Sequence, residues 1–294
     1  MGSGTSKRRN EALSPGPSYD VPLNYLQATH AHHPLAPSVR SGVGELAPLL
    51  GKEEAGGGCC KEQPARAQTL IAMRCHVEQL GLVNYADALR LQRERVAARR
   101  AGAIPDTLLL LEHPHVYTLG RNARPENLLV SRQQLAARGA EVFEIDRGGD
   151  VAYHGPGQLV GYPIFDLAQH RRDIAWYMRS LEEVLIEVAG DYGIEAGRLA
   201  GAPGVWVGND KLAAMGVHIS RWVTSHGFAF NVNTDLRYFE WIVPCGLRDK
   251  GVTSLERLLG RPAAMDEVAE RVVRHFERVF GLDMIAALQQ VQEL

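Results

Sequence analysis

The apolar positions of this chain follow clear periods only after about residue 72. Before that point Ser, Gly, Pro and His recur, as in Ser14-Pro-Gly-Pro-Ser18, and no apolar period persists. Such a composition buries too little apolar surface to offset the entropy lost when a chain is ordered. The pattern predicts a disordered N-terminal extension over residues 1–72 and a folded domain over residues 73–294.

Within the folded part, several segments have the apolar pattern of strands. They are residues 74–80, 107–112, 141–145 and 159–165. Residues 204–219 read as a hairpin turned at Gly208-Asn-Asp210, with Lys211 at the head of the return strand. Residues 227–232 form a further strand, and its Phe228 and Phe230 are expected to place one ring on each face of the sheet.

Three helices are predicted between and after these strands. Asn84 is a good N-cap for the first, Asp173 caps a long second helix that ends at Gly193, and the third covers Met265 to Phe280. Strands outnumber helices and adjoin one another in hairpins. This pattern favours an α+β domain with a mixed or antiparallel sheet covered by flanking helices.

The densest run of unusual residues lies between the strands at 141–145 and 159–165. Four glycines and a proline would let the backbone approach a ligand or take φ > 0. Polar side chains stand among them, and the whole run is Arg147-Gly-Gly-Asp-Val-Ala-Tyr-His-Gly-Pro-Gly-Gln158. It lacks the Gly-Lys-Ser/Thr ending of a phosphate-binding loop and the glycine spacing of a dinucleotide-binding loop. We predict a substrate-binding loop carried by the sheet.

Composition narrows the class of protein. The 32 Lys and Arg against 34 Asp and Glu give a net charge of −2, which does not suggest broad attraction to nucleic acid or membrane surfaces. No apolar run is long enough to span a bilayer. Cys59, Cys60, Cys75 and Cys245 show no paired metal-binding spacing, and Cys75 is expected to be a packing residue.

The glycine-rich run resembles the Arg-Gly-Gly-x-x-Thr-Tyr-His-Gly-Pro-Gly-Gln signature of the lipoyl(octanoyl)transferases, with Ala152 where that family usually has Thr. The resemblance continues in His113-Pro-His-Val-Tyr-Thr-Leu-Gly120, in Lys211, in Pro244-Cys-Gly246 and in Gly251-Val-Thr-Ser-Leu255. It covers about residues 75–281 and implies the fold of the biotin and lipoate protein ligases.

The resemblance also implies a set of site residues. Cys245 would be the nucleophile and Lys211 its proton shuttle. A free thiol has a pKa of about 8.5, and a nearby ammonium favours the thiolate. The substrate-binding residues would be Arg147, Gly148, Gly149, Asp150, Val151, Ala152, Tyr153, His154, Ala214, Met215, Gly216, Gly227, Phe228 and Ala229, whose backbone N–H groups would stabilise the oxyanion.

By the same resemblance, octanoyl would pass from the phosphopantetheine of acyl carrier protein to Cys245 and then to a lysine of a lipoyl domain. The acceptors would be the E2 subunits of the 2-oxoacid dehydrogenases and the glycine cleavage H protein, and no cofactor would be needed. Arg121, Arg171 and Arg172 are candidate docking residues for acidic partners. The resemblance implies a mitochondrial matrix location, although the N-terminal tract makes a poor presequence.

Two other functions remain open. An ATP-dependent lipoate or biotin ligase would share the fold, but it forms an adenylate, needs no thiol, and usually has Asp where this chain has Gly155. A non-catalytic paralogue that binds acyl chains or carrier protein would explain Ala152, whereas the presence of both Lys211 and Cys245 argues for catalysis.

Overall fold

A mixed sheet of ten strands organises the part of the chain that the computed structural model describes, residues 18–19, 73–244 and 249–286. A second sheet has three strands. The strands are β1 Ser18–Tyr19, β2 Met73–Leu82, β3 Asp106–Glu112, β4 Val116–Leu119, β5 Glu141–Glu144, β6 Val151–His154, β7 Gln158–Ile164, β8 Gly197–Leu199, β9 Ala202–Val207, β10 Asp210–Ser220, β11 Val223–Asn231, β12 Gly251–Val252 and β13 Leu282–Ala286. The helices are α1 Tyr85–Arg100, α2 Arg132–Ala136, α3 Ile174–Gly190, α4 Leu255–Leu259 and α5 Met265–Phe280, with 3-10 turns at Pro125–Asn127 and Leu236–Trp241.

The order of the main sheet is β13-β2-β3-β7-β11-β10-β9-β8, and β1 and β12 pair with the two ends of β10. The first three strands are parallel, whereas the steps from β3 through β7, β11, β10 and β9 to β8 are antiparallel. The predicted α+β class with a mixed sheet is therefore confirmed, and so is the hairpin of β9 and β10.

Helices cover the two faces of this sheet. Residues of α3 and α5, such as Leu181, Val184 and Phe276, pack in one apolar cluster with both Phe228 and Phe230. Ala88 of α1 packs in another cluster with Ala229. The expectation that Phe228 and Phe230 lie on opposite faces is wrong, because strand residues two apart point to the same face.

The predicted helices are present, with differences at their ends. α5 spans the predicted residues and stops at Gly281, which takes a left-handed φ of 66°. Asp173 caps α3 by accepting a hydrogen bond from Trp176 N at 2.9 Å, and the helix ends at Gly190, three residues before the predicted Gly193. Asn84 precedes α1, but its side chain makes no capping hydrogen bond.

The three-stranded sheet, in the order β5-β4-β6, has a small core of its own. Tyr117, Val151 and Tyr153 pack there with Ile242. The glycine-rich run was expected to be a loop, but its middle forms β6, because residues 151–154 pair with β4. This pairing fixes the orientation of alternate side chains in the run.

Several predictions fall on residues that the structure does not describe. These are the disordered extension, apart from the two residues of β1, and Cys59, Cys60 and Cys245. Cys75 is fully buried in the main core, as predicted, and burial raises the pKa of its thiol. Among the described residues, no helix has the length and apolar character needed to cross a membrane.

Candidate active site

In the middle of their pairing, two neighbouring strands present small residues to one face of the main sheet. In the pairing of β10 with β11, Ala214 lies opposite Ala229 and Gly216 lies opposite Gly227. Ala229 belongs to the cluster on the α1 side, and residues that are directly opposite share a face. The four residues leave a shallow trough where larger side chains would fill the space.

This trough forms the floor of a cavity of about 450 Å³. The volume falls within the range of roughly 300–1,000 Å³ that is usual for small-molecule sites. The lining comes from the glycine-rich run, β10, β11, the start of α1 and the chain at residues 122–127 and 201–203. Aromatic and apolar surface is contributed by Tyr85, Tyr162, Met178 and Phe228.

Arg147 is buried beside the trough and supports the glycine-rich run. Its Nη2 donates to the Thr118 carbonyl and to Thr118 Oγ1, both at 2.8 Å. Its Cδ lies 3.1 Å from the position that a Cβ on Gly216 would take, so a larger residue there would crowd the arginine. Gly148 N donates to Val217 O at 3.0 Å and joins the run to β10.

Lys211 lies on the cavity wall at the start of β10, and the residue is only 6% exposed. Its Nζ donates to Pro203 O at 3.2 Å and lies 4.7 Å from the centre of the Trp206 ring. A cation this close to an aromatic face is stabilised by the ring quadrupole. The ammonium is therefore held at the cavity while most of the side chain is packed.

The imidazole of His154 forms part of the cavity wall near the ring of Tyr85, whose centre is 6.2 Å away. Burial, followed by the nearby His113, lowers the pKa of His154 to about 3. Burial also lowers the pKa of His113 to about 4. Both rings are therefore neutral near pH 7.

The segments just before and just after residues 245–248 are both hydrogen-bonded to residues that line the cavity. Val243 N donates to Asn127 O at 2.8 Å, and Asn127 donates through its side chain to the Asp150 carboxylate. On the other side, β12 pairs with the start of β10, and Thr253 N donates to Lys211 O at 3.0 Å. Cys245 itself lies outside the described residues.

The structure brings nearly all the predicted site residues to one cavity. The cavity is lined by Lys211, residues 147–152, His154, residues 214–216 and residues 227–229. Tyr153 does not, because alternation along β6 turns its side chain to the opposite face, where its hydroxyl bonds to His115 Nδ1 at 2.8 Å. The candidate docking residues Arg121, Arg171 and Arg172 are exposed.

The two histidines of the His113-Pro-His115 run are structural. His113 Nδ1 donates to Val83 O at 2.7 Å, and its Nε2 accepts from the Tyr162 hydroxyl at 2.8 Å. The ring of His115 stacks on Tyr238 with centres 4.0 Å apart.

Several cavity residues were missed by sequence reasoning, notably Tyr85, Asn127, Tyr162, Met178 and His226. They come from distant segments, and only the sheet pairing unites them. His226 alone carried a signal, since it precedes the predicted wall residue Gly227. It is buried with a left-handed φ of 56°, and its Nε2 lies 3.2 Å from Asp146 Oδ1.

Comparison with solved structures defines the class of fold. The chain is similar to lipoate-protein ligase A bound with ATP, with a TM-score of 0.61, 17% identity, and coverage of 74% of this chain and 90% of that one. It is also similar to a bi-partite lipoate protein ligase from Thermoplasma acidophilum, with a TM-score of 0.59, 16% identity, and coverage of 74% and 88%. At these identities the likeness shows the fold, which is that of the lipoate protein ligases.

Sequence comparison is more specific. The lipoyl protein ligase A/B catalytic domain matches residues 84–277. The octanoyltransferase of Solibacter usitatus is 57% identical over 211 residues, 72% of this chain and 95% of that protein. The octanoyltransferase of Caldicellulosiruptor saccharolyticus is 52% identical over 211 residues, 71% and 90% of the two chains. The chain therefore belongs to the lipoyl protein ligase A/B catalytic-domain family and, within it, to the octanoyltransferases.

Proposed function

We propose that this protein transfers an octanoyl group from acyl carrier protein to a lysine of a lipoyl domain through a thioester on Cys245. The relatives support an acyltransferase that acts in protein lipoylation. The observation that carries the finer proposal is the placement of Lys211. Its ammonium lies on the cavity wall, and the chain that resumes after residues 245–248 pairs with its strand.

The first half-reaction exchanges one thioester for another. Cys245 enters this step as a thiolate paired with the Lys211 ammonium, which holds the proton of the thiol, and the thiolate attacks the octanoyl carbonyl. The tetrahedral intermediate collapses, the bond to the phosphopantetheine sulfur breaks, and that sulfur takes the proton from Lys211. Because a thioester replaces a thioester, the free energy of this step changes little.

The second half-reaction forms an amide. The ε-amine of the acceptor lysine attacks the carbonyl of the acyl-cysteine, and the bond to Cys245 Sγ breaks. The proton lost by the amine passes to Lys211 and then to the departing thiolate. Conversion of a thioester into an amide runs downhill, which drives the overall transfer.

The cavity suits the proposed acyl group. Its floor of alanines and glycines exposes backbone rather than long side chains, so an extended alkyl chain can lie close to the sheet. Backbone N–H groups along the glycine-rich run can donate to an oxyanion.

The test is intact-protein mass after incubation with octanoyl-acyl carrier protein, followed by hydroxylamine. We expect an octanoyl adduct on the wild-type chain that hydroxylamine removes, and no such labile adduct on Cys245→Ser. A Cys59→Ser/Cys60→Ser chain is the matched control and should be labelled like the wild type. An unlabelled wild type that turns over only with ATP and free octanoic acid would overturn the proposal and support a ligase.

A further inference from the structure

Two buried amide side chains, those of Gln158 and Asn231, are hydrogen-bonded to each other on adjacent strands of the main sheet, near Lys211. Gln158 at the start of β7 lies directly opposite Asn231 at the end of β11. Asn231 is one residue beyond the pair of Phe230 with Ala213, on the side of that pair toward Lys211. Gln158 and Asn231 are only 1% and 4% exposed.

Two backbone carbonyls determine how both amides are oriented. Gln158 Nε2 donates to Tyr153 O at 3.3 Å and to Asn231 Oδ1 at 2.9 Å, and Asn231 Nδ2 donates to Thr253 O at 2.9 Å. A carbonyl oxygen can only accept, so the atom facing it must be the amide nitrogen. The opposite atom of Gln158, its Oε1, is therefore an acceptor.

This acceptor determines the tautomer of His154. Gln158 Oε1 lies 2.8 Å from His154 Nδ1, so Nδ1 must carry the proton. In a neutral imidazole the other nitrogen, Nε2, then holds a lone pair. Within the described part of the chain Nε2 has no hydrogen-bond partner, and the ring lies on the cavity wall.

We propose that Gln158 is a positioning residue for acyl transfer, which holds His154 in the tautomer whose Nε2 accepts a hydrogen bond from an N–H group of the substrate. Asn231 completes the arrangement, because it fixes the Gln158 amide and joins it through Thr253 to the main chain of Lys211. The inference rests on the proposed octanoyl transfer and deepens it.

Two substrates of that reaction carry suitable N–H groups. The phosphopantetheine arm has amide N–H groups, and the acceptor lysine has its ε-amine. Separate measurement of the two half-reactions distinguishes them. A defect in acylation of the enzyme would identify the phosphopantetheine amide, and a defect in transfer to the lipoyl domain would identify the amine.

The decisive measurement of the tautomer is the imidazole 15N spectrum of the wild-type protein without substrate. The His154 signals are assigned by their loss in His154→Gln. We expect a neutral ring protonated at Nδ1 from about pH 5 to pH 8. A ring protonated at Nε2, or one that becomes charged within this range, would overturn the inference.

Gln158→Glu adds a functional test with the same side-chain shape. A carboxylate beside Nδ1 favours the imidazolium, whose Nε2–H can no longer accept a hydrogen bond. The other groups that face this ring are the same in the variant and in the wild type; they are Tyr85, His113, Arg147 and His226. We expect the affected half-reaction to be about tenfold slower at pH 6 than at pH 8 in this variant alone.

Gln158→Met and Gln133→Glu are the comparison variants. Gln158→Met removes the hydrogen bonds without adding a charge, so its rate should fall about tenfold at every pH. Gln133→Glu makes the same substitution on the exposed face of α2 and should behave like the wild type.

If Gln158→Glu keeps the wild-type pH profile, Gln158 has only a structural role. If the wild type transfers no octanoyl group, the proposed function fails, and the 15N spectrum still tests the tautomer.

Discussion

Arg147 and Thr118 join the glycine-rich run to β4 through one guanidinium. The Nη2 atom of Arg147 reaches both the carbonyl and the hydroxyl of Thr118, and the Nε atom lies 3.3 Å from the same hydroxyl. Both residues are buried, so these donors have little access to water. The stem of the arginine meanwhile occupies the space above Gly216.

Arg147→Lys is expected to reduce octanoyl transfer about tenfold or more, because an ammonium cannot reproduce the forked hydrogen bonds of a guanidinium. Initial rates with octanoyl-acyl carrier protein measure the effect. Thr118→Val removes only the hydroxyl and leaves the carbonyl contact, so its loss should be smaller. Equal rates in Arg147→Lys and the wild type would show that this fork does not support the site.

Gly216→Ala tests the trough. The added methyl would lie 3.1 Å from Arg147 Cδ and 3.1 Å from Gly148 O, so it would displace the arginine or occupy the cavity floor. We expect transfer to fall about tenfold or more, in line with the cost of crowding a packed site. Gly190→Ala is the control, since nothing lies within 4 Å of the added methyl. A Gly216→Ala chain with the wild-type rate and chain-length preference would contradict the assigned floor.

A buried ionic cluster predicts how stability depends on pH. Burial alone would raise the pKa of Asp106, but hydrogen bonds from His170 and Arg99 outweigh burial and hold it below its usual value. The charged carboxylate therefore adds stability that is present above about pH 4 and is lost as the pH falls through the lower folded-state value. Asp106→Asn should cost about 3 kcal/mol at pH 7, with a smaller difference in acid.

Urea unfolding of the wild type and Asp106→Asn at neutral and acidic pH measures this dependence. Asp87→Asn is the matched control, because Asp87 forms an exposed pair with Arg90 that should contribute less than about 0.5 kcal/mol. A constant difference between the wild type and Asp106→Asn at all pH values would exclude the ionised carboxylate as the source of the stability.

The two N-cap residues give a further comparison. Asp173→Ala removes the hydrogen bond to Trp176 N and should lower the free energy of unfolding by about 1 kcal/mol. Asn84→Ala removes a side chain that makes no capping bond and should cost less. Thermal or urea unfolding of the two variants measures the difference, and equal losses would contradict it.

Elements governed by local chemistry could be predicted from the sequence. The bounds of α5 follow from its apolar period and from Gly281, and the hairpin at residues 208–210 follows from its turn residues. The error at Phe228 and Phe230 was one of alternation within a correctly predicted strand. β6 was missed because its pairing with β4 is a long-range property that no turn residue announces.

The candidate site was predicted in part for the same reason. The glycine-rich run and Lys211 stand out locally, and the family resemblance added residues 214–216 and 227–229. Tyr85, Tyr162 and Met178 look like ordinary core residues in the sequence, and only the tertiary arrangement of α1, β7 and α3 brings them to the cavity. The tautomer of His154 likewise depends on carbonyls at Tyr153 and Thr253, whose directions no side-chain pattern encodes.

The parallel pairing of β13 with β2 has a consequence for biosynthesis. β2 opens the main sheet in the sequence, and β13 is the last strand of that sheet to leave the ribosome. One edge of β2 therefore stays unpaired until β13 has been made, and an unpaired edge invites association with other nascent chains. Completion of this enzyme's sheet therefore waits for its last strand, and chaperone demand should be greatest in the interval before β13 pairs with β2.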